Sequence, residues 1–279
     1  MRALAADNSK AGLVGQLEEV WDSLAVLGAG LDDAGWATDT PCPGWPVSAQ
    51  YAHIIGTESM ILGRPNPDVK APAGTAHVRN DIGGFNEVWV TALAGQPRED
   101  VLEAFAEVVS ARREVLAGMT DDDFSAPSWT PVGQADYRRF MQIRVFDCWV
   151  HEQDVRDAVG RSGHESGPVA EQAIDEIARA AGFIVGKKAG APQGSGVRID
   201  LTGPVTRRID VDVAERARVV DELAGEPTAA LELSSTAFAR LACGRVAPSE
   251  VKAGAFGGAN LLGDEGLAGR LLENLAFTI

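Results

Sequence analysis

The sequence predicts a two-domain α+β protein, with a helical bundle over residues 1–190 and a small α+β unit over residues 191–279. Three observations support this division. Before residue 190, apolar residues recur at every third or fourth position, as in amphipathic helices. After residue 196, apolar and polar residues alternate in short segments, as in strands. The stretch 190–196 between them is rich in glycine and is typical of a flexible joint.

Helical periodicity dominates the first part of the chain. In residues 10–31 the apolar stripe includes Trp21, for which we expect a place in the core. Four main helices joined by loops favour a bundle, and bundles often hold metals between facing helices. In chain order, the predicted helical segments are residues 10–31, the surroundings of His53 as far as Gly63, residues 84–118 with a break at 95–97, residues 135–159 before a stop at Gly160, and residues 168–189.

Two irregular segments interrupt the predicted helices. The segment 36–48 contains three prolines and a glycine, which make it a stiff loop. Its two tryptophans are costly to expose, so we expect the loop to pack down, either as a structural lid or as the wall of a pocket. Residues 127–133 are expected to form a second loop before the helix 135–159.

The last part of the chain changes to a strand-like period. Alternating residues predict strands at 197–202, 208–213 and 228–234. Short helices are expected at 235–243 and 259–276. This mixture is typical of a small α+β unit that is distinct from the bundle.

Composition excludes several classes of function. The 279 residues carry a net charge of −15, whereas nucleic acids and anionic membranes attract basic patches. We therefore expect no nucleic-acid partner and no membrane partner. The three cysteines, Cys42, Cys148 and Cys243, do not suggest a disulfide framework. The sequence shows no signal peptide and no apolar run of about 20 residues, so we expect a cytoplasmic location.

The helix 135–159 contains a candidate metal site. Asp147 and His151 are four residues apart, so they share one face of the helix and can reach one ion. A catalytic zinc site usually has three protein ligands and an open position. Among the four histidines of the chain, His53 is the best third ligand, because it lies in an apolar helix where an ionisable side chain needs a partner. His77 and His164 lie in loops and are expected to be solvated.

Each of these residues also has a purely structural interpretation. Asp147 and His151 could form surface ion pairs with Arg144 or Arg156. Arg144 could hold a substrate carboxylate or form an ion pair with Asp147. Cys148 could be a ligand, a nucleophile or a small buried apolar residue. Asp154 lies off the ligand face but could orient His151 from behind.

The motifs together resemble one known family. They are Thr-Pro-Cys-Pro-Gly-Trp-Pro-Val, the Ala-His53 helix, and Arg-x-x-Asp-x-Trp-Val-His-Glu-Gln-Asp-Val-Arg-x-Ala-x-Gly. The later segments Asp-Leu-Thr-Gly-Pro, Gly-Glu-Pro-Thr-Ala and Phe-Ala-Arg-Leu-Ala-Cys-Gly-Arg are also similar. The resemblance is to the mycothiol-dependent maleylpyruvate isomerase family and covers nearly the whole chain. It implies a DinB-like four-helix bundle with a divalent metal, followed by a sterol-carrier-like domain.

The resemblance also implies a site and a chemistry. It assigns the metal ligands to His53, Asp147 and His151, with aspartate where the isomerase has glutamate. It implies zinc or another divalent metal, mycothiol as the thiol, and an arginine from the second domain, which we match to Arg245. With Arg144, these are the predicted catalytic residues.

The expected reaction is addition of a metal-bound thiolate to a small electrophile. That chemistry gives either a maleylpyruvate-type cis–trans isomerase or a mycothiol S-transferase. The alternatives are a metal-dependent hydrolase without a thiol and a non-enzymatic binding protein.

Overall fold

The structure is a computed structural model that describes residues 6–72 and 74–278. The chain forms two compact units, and the predicted two-domain α+β fold is confirmed. The helical unit contains Asn8–Gly163, and the sheet unit contains His164–Thr278 with residues 6 and 7. Within the described residues, no helix combines the length and the apolar character that a membrane crossing requires.

The division lies after Gly163, whereas the sequence suggested a boundary near residue 190. The difference arises because the helix Pro168–Arg179 joins the sheet unit. Its buried Asp175 accepts a hydrogen bond from Arg207 Nε at 3.0 Å, and Arg207 begins a strand of the sheet. The amphipathic period of this helix indicated its conformation and not the unit on which it packs.

Within the residues that the structure describes, the helical unit contains seven helices and two strands. The helices are α1 (Lys10–Ala29), α2 (Asp33–Trp36), α3 (Val47–Ile61), α4 (Asp81–Leu93), α5 (Arg98–Gly118), α6 (Asp121–Ser125) and α7 (Tyr137–Val159), and the strands are β1 (Pro127–Thr130) and β2 (Gly133–Asp136). The expected break at 95–97 separates α4 from α5. The expected loop at 127–133 is instead an antiparallel hairpin, in which Gly133 takes a φ of 106° that suits glycine.

Four helices surround the core of this unit. Helix α1 contacts α5 and α7, and α3 contacts the same two helices. Each contributes a large, fully buried side chain: Trp21, Tyr51, Phe105 and Met141. The core position expected for Trp21 is confirmed. The packing of α3 against α7 brings the two helices with the predicted ligands side by side.

Capping residues in the sequence set both ends of helix α7. The Asp136 side chain accepts a hydrogen bond from the backbone N–H of Arg139 at 2.8 Å, as an N-cap does. At the other end, Gly160 has a φ of 64° and terminates the helix in the left-handed conformation. The predicted stop at Gly160 is confirmed.

The sheet unit contains a five-stranded mixed sheet. Its strands are β3 (Gly196–Thr202), β4 (Arg207–Val213), β5 (Ala217–Val220), β6 (Ala229–Ser234) and β7 (Ala259–Gly263), in the order β5-β4-β3-β6-β7. Strand β3 pairs with β6 in parallel, and the other neighbours are antiparallel. The helical segments are α8 (Pro168–Arg179), α9 (Ala181–Phe183), the π-helical turn Ile184–Lys188, α10 (Ser235–Ala242), α11 (Pro248–Lys252), the 3₁₀ turn Ala255–Gly257 and α12 (Glu265–Glu273).

The three predicted strands of the sheet unit are confirmed, but one predicted helix is wrong in part. Residues 259–276 were expected to be helical, whereas residues 259–263 form the edge strand β7. The helix α12 begins only after Asp264, whose side chain caps it by accepting from the Leu267 N–H at 2.9 Å. Pairing with β6 decides the conformation of β7, and a single-segment pattern does not contain that information.

Candidate metal centre

Helices α3 and α7 bring the three predicted ligands together. His53 Nε2 lies 2.9 Å from Asp147 Oδ2, and His151 Nε2 lies 3.6 Å from Asp147 Oδ1. The two imidazole ring centroids are 4.5 Å apart. One candidate ligand atom from each residue lies within 4.8 Å of the other two. This spacing is short enough for the three side chains to share one cation.

The site is buried on its imidazole side and open on its carboxylate side. His53 and His151 are buried, whereas the Asp147 side chain is 27% exposed. Solvent therefore reaches the group at its Asp147 edge. A catalytic metal site needs this kind of open position for a water or a substrate.

The surroundings of His151 fit a metal ligand. Its Nδ1 faces Gln50 Oε1 at 2.6 Å and Asp154 Oδ2 at 3.3 Å, on the side away from Asp147. Histidines that bind metals usually donate their second ring N–H to a carboxylate or carbonyl oxygen in this way. The expectation that Asp154 could stand behind His151 agrees with this contact.

His53 offers only one ring nitrogen to the group. Its Nδ1 is buried and has no hydrogen-bond partner within residues 6–72 and 74–278, whereas its Nε2 faces Asp147. A cation held by His53 would therefore be bound through Nε2. The donor set of two imidazoles and one carboxylate suits zinc and related divalent metals.

The charges of the three side chains depend on one another. Burial lowers the pKa of His53, and the nearby Asp147 only partly offsets that effect. Burial alone raises the pKa of Asp147, but His53 and Arg144 outweigh it and hold the pKa well below its usual range. Burial lowers the pKa of His151, yet its contacts with Asp147 and Asp154 raise the pKa overall. A metal bound to His151 would compete with a proton for the same ring nitrogen.

Arg144 lies directly behind Asp147 in a buried ionic network. Its guanidinium donates to Asp147 Oδ2, and its Nε and Nη2 donate to Glu58 Oε1 at 3.0 and 2.8 Å. Glu58 is 0% exposed and also accepts from Arg112 Nε at 2.8 Å. Of the two roles considered for Arg144, the structure contains the ion pair with Asp147.

Glu58 and Arg112 were not among the predicted site residues. Glu58 lies five residues after His53 in α3, and Arg112 lies in α5. The one available signal was a pair of charged residues in otherwise apolar helical stripes. A buried charge requires a partner, and that requirement could have linked them.

The loop between α2 and α3 forms a wall of the site. The Trp45 ring packs against His53 and His151, with centroid distances of 5.3 and 5.7 Å. Its Nε1 donates to Glu87 Oε2 at 3.1 Å. Of the two interpretations of this loop, the pocket wall agrees with these contacts.

His77 is not the solvated loop residue that the sequence suggested. Its Nε2 lies 2.8 Å from Glu87 Oε2, and its ring meets the edge of Trp45 at 6.2 Å. The His77 side chain is partly buried, with 27% of its surface exposed. The contact is too distant in sequence for local pattern to reveal it.

The two cysteines of the helical unit, Cys148 and Cys42, have different surroundings. Cys148 is fully buried and accepts a hydrogen bond from Arg144 Nη2 at 3.3 Å, which fits the small buried residue considered above. Burial raises the pKa of its thiol to about 12. Cys42 forms a second possible donor set with His151 and Asp154. That set uses the side of His151 that Gln50 already contacts, so the group around Asp147 is the better candidate.

Arg245 lies in the sheet unit, just after α10. Its Nη1 donates to the backbone carbonyl of Cys243 at 2.9 Å. The side chain is half-buried. Its assignment to the catalytic chemistry stays a prediction.

Comparison with known proteins gives two family matches that together cover most of the chain. Residues 17–156 match the model described as the mycothiol maleylpyruvate isomerase N-terminal domain, and residues 171–270 match the corresponding C-terminal domain. The second match begins inside α8, in agreement with the assignment of that helix to the sheet unit.

Individual relatives are more distant. Two proteins of Mycobacterium tuberculosis, "Uncharacterized protein MT0041" (strain CDC 1551 / Oshkosh) and "Uncharacterized protein Rv0036c" (strain ATCC 25618 / H37Rv), are each 28% identical over 148 residues. The match covers 53% of this chain and 56% of each relative, so the chain spans little more than half of their length.

Two solved structures share the fold. They are crystal structures of the mycothiol-dependent maleylpyruvate isomerase and of a point mutant of that protein, with TM-scores of 0.53 and 0.54. Each match covers 85% of this chain and 90% of the other, at 16% sequence identity. At that identity the likeness concerns the fold alone.

Proposed function

Because the chain belongs to the mycothiol maleylpyruvate isomerase family, we propose that it is a metal-dependent enzyme that uses mycothiol as its thiol. The observation that carries the proposal is the convergence of His53, Asp147 and His151 within 4.8 Å at the solvent-reached edge of α3 and α7. Family membership is the reason for proposing mycothiol as the thiol, and the geometry of the three side chains is the reason for proposing a metal.

The proposed metal ligands have complementary roles. His53 and His151 would bind as neutral imidazoles, and Asp147 would bind as a carboxylate. A divalent cation held by this set keeps a net charge of +1 and, when bound, supplies a Lewis acid that favours the thiolate form of a thiol. The burial of the two imidazoles excludes water from one side of the site, while the exposed Asp147 edge leaves an approach for ligands.

Arg144 is proposed as a positioning residue. Its donors are directed at Asp147, Glu58 and Cys148, so it holds the Asp147 carboxylate toward the two imidazoles. Arg245, from the sheet unit, is the proposed contact for an anionic group of the substrate.

The reaction class follows from the chemistry of a thiol. Mycothiol supplies a sulfur nucleophile whose addition to a conjugated double bond leaves a single bond that can rotate before the thiol is eliminated. A maleylpyruvate-type electrophile would thus be isomerised and the thiol regenerated. An electrophile that cannot eliminate the thiol would retain it, and the protein would be an S-transferase. We propose the isomerase first, since that activity is the one named for the family that the chain matches.

The first experiment measures the metal content of the purified wild type and its variants. Purified protein should contain close to one divalent metal per chain by elemental analysis, and His53→Ala and Asp147→Asn should lose it. His164→Ala changes a histidine of the sheet unit and serves as the matched control, so it should keep the metal.

The second experiment incubates the protein with mycothiol and maleylpyruvate and follows isomer and thiol separately. Isomerisation with constant thiol supports the isomerase, and stoichiometric loss of thiol supports the transferase. Ester or amide hydrolysis without thiol would support the hydrolase instead. A wild-type protein without metal, whose thiol chemistry is insensitive to a chelator and to His53→Ala, would refute the proposal.

A further inference from the structure

We propose that Gln50 selects the tautomer of His151, so that Nδ1 carries the proton and Nε2 presents its lone pair to the metal site. The usefulness of this tautomer rests on the proposed metal site, whereas the hydrogen bonds that select it do not. These bonds assign a positioning role to Thr40 and Trp45 in the loop 36–48, in addition to the wall that this loop forms.

The first step is the position of Gln50. Its side chain is completely buried and lies between the loop and His151. Its Oε1 and His151 Nδ1 are 2.6 Å apart. On the other side, its Nε2 donates to Thr40 Oγ1 at 2.9 Å and to the Trp45 carbonyl at 3.4 Å.

The second step is that the Gln50 amide can face only one way. The Trp45 carbonyl is an acceptor, so it requires the NH₂ end of the amide. Thr40 Oγ1 donates its own proton to the same carbonyl at 2.7 Å, so it too can only accept from Gln50. A flipped amide would bring its oxygen against two acceptors and leave its NH₂ facing the imidazole. The loop therefore fixes Oε1 toward His151.

The third step concerns the imidazole itself. A neutral histidine has one donor nitrogen and one acceptor nitrogen. Gln50 Oε1 accepts only, and so does the Asp154 carboxylate at 3.3 Å, so Nδ1 must be the donor. The acceptor lone pair of Nε2 then points toward Asp147 and His53, where a metal ligand requires it. Without these contacts, Nε2–H could donate to Asp147 and occupy that position.

Trp45 connects this selection to the wall of the site. Its backbone carbonyl orients Gln50, and its ring covers both imidazoles. One residue thus restrains both the position and the tautomer of His151. This dual contact gives the stiff proline-rich loop a physical role.

The test reads the tautomer directly in metal-free protein. ¹⁵N-histidine labelling and NMR, at a pH where the imidazoles are neutral, distinguish a protonated ring nitrogen from an unprotonated one. In the wild type, His151 Nδ1 should be protonated. In Gln50→Leu, which removes the acceptor facing Nδ1, the Nε2–H form should become populated. Retention of the Nδ1–H form in Gln50→Leu would show that Asp154 suffices and would overturn the proposal.

A second readout is the affinity for Zn²⁺, measured by competition with a colorimetric chelator. Partners behind a metal ligand typically change affinity about 10- to 100-fold, and Gln50→Leu should show a loss in that range. Gln153→Leu is the matched control, because it removes another buried glutamine, one that lies in α7 and whose Nε2 donates to the Gly163 carbonyl at 3.2 Å. It should leave the affinity unchanged.

The two readouts separate the inference from the proposed function. A wild type that binds no Zn²⁺ would refute the metal site, and the NMR result would still decide the tautomer. A wild type that binds Zn²⁺, with Gln50→Leu binding it equally well, would refute the role of Gln50 and leave the metal site intact. A loss of Zn²⁺ affinity in Gln50→Leu together with the tautomer change supports both.

Discussion

Replacing Glu58 by glutamine should destabilise the helical unit strongly. The Glu58 carboxylate is 0% exposed and accepts three hydrogen bonds, from Arg112 Nε, Arg144 Nε and Arg144 Nη2, at 2.8 to 3.0 Å. Two arginines and two carboxylates, Glu58 and Asp147, make the network neutral. Glu58→Gln leaves the network with one uncompensated positive charge.

The size of the effect follows from the burial of the charges. Removing one partner of a buried ion pair typically costs about 3–5 kcal/mol of stability, because the remaining charge stays desolvated. For a unit of this size, 1 kcal/mol shifts the melting temperature by about 2–4 °C, so we expect a decrease of about 6–20 °C. The double variant Glu58→Gln with Arg112→Met restores neutrality and should recover part of the loss.

Tryptophan fluorescence in urea is the suitable assay. All six tryptophans lie between residues 21 and 149, so their signal reports the helical unit alone. The control is Asp22→Asn, which breaks an exposed pair with Arg113 (2.6 Å) and should cost less than about 1 kcal/mol. A loss below 1 kcal/mol for Glu58→Gln, or no recovery in the double variant, would refute the charge argument.

Three other outcomes are expected. Gly56→Ala should destabilise the protein by about 1–3 kcal/mol, because its Cβ would lie 2.4 Å from the Trp89 ring, whereas Gly15→Ala, with open space around it, should stabilise α1 by about 0.5–1 kcal/mol. Urea unfolding of both variants decides this. Because burial raises the pKa of Cys148 to about 12, its thiolate is scarce at pH 8, and mass spectrometry should find the residue alkylated only after denaturation. Zn²⁺ at about 100 times its Kd should stabilise the wild type by about 2.7 kcal/mol, an effect that EDTA reverses and that His53→Ala lacks; equal stabilisation of that variant would contradict the site.

Local sequence signals predicted much of the helical unit. The periodicity of residues 10–31 places Trp21 in the core, and the cap at Gly160 ends α7, because both depend on contacts within a few residues. The edge strand β7 escaped prediction because its conformation depends on pairing with β6. The association of α8 with the sheet was equally hidden, since its amphipathic stripe fits any apolar partner surface.

The i, i+4 spacing of Asp147 and His151 follows from the helix alone, so residue types and spacing were enough to nominate a metal site. The apolar surroundings of His53 and the family motifs both indicated it as the third ligand, and the packing of α3 on α7 then placed it 2.9 Å from Asp147. The side chains that hold the candidate ligands in place could not be predicted in the same way. Glu58 and Gln50 are ordinary polar residues in their own helices, and their roles arise from partners 86 and 101 positions away in the chain. Hydrogen bonds over such separations depend on how helices pack, and no local pattern of residues encodes them.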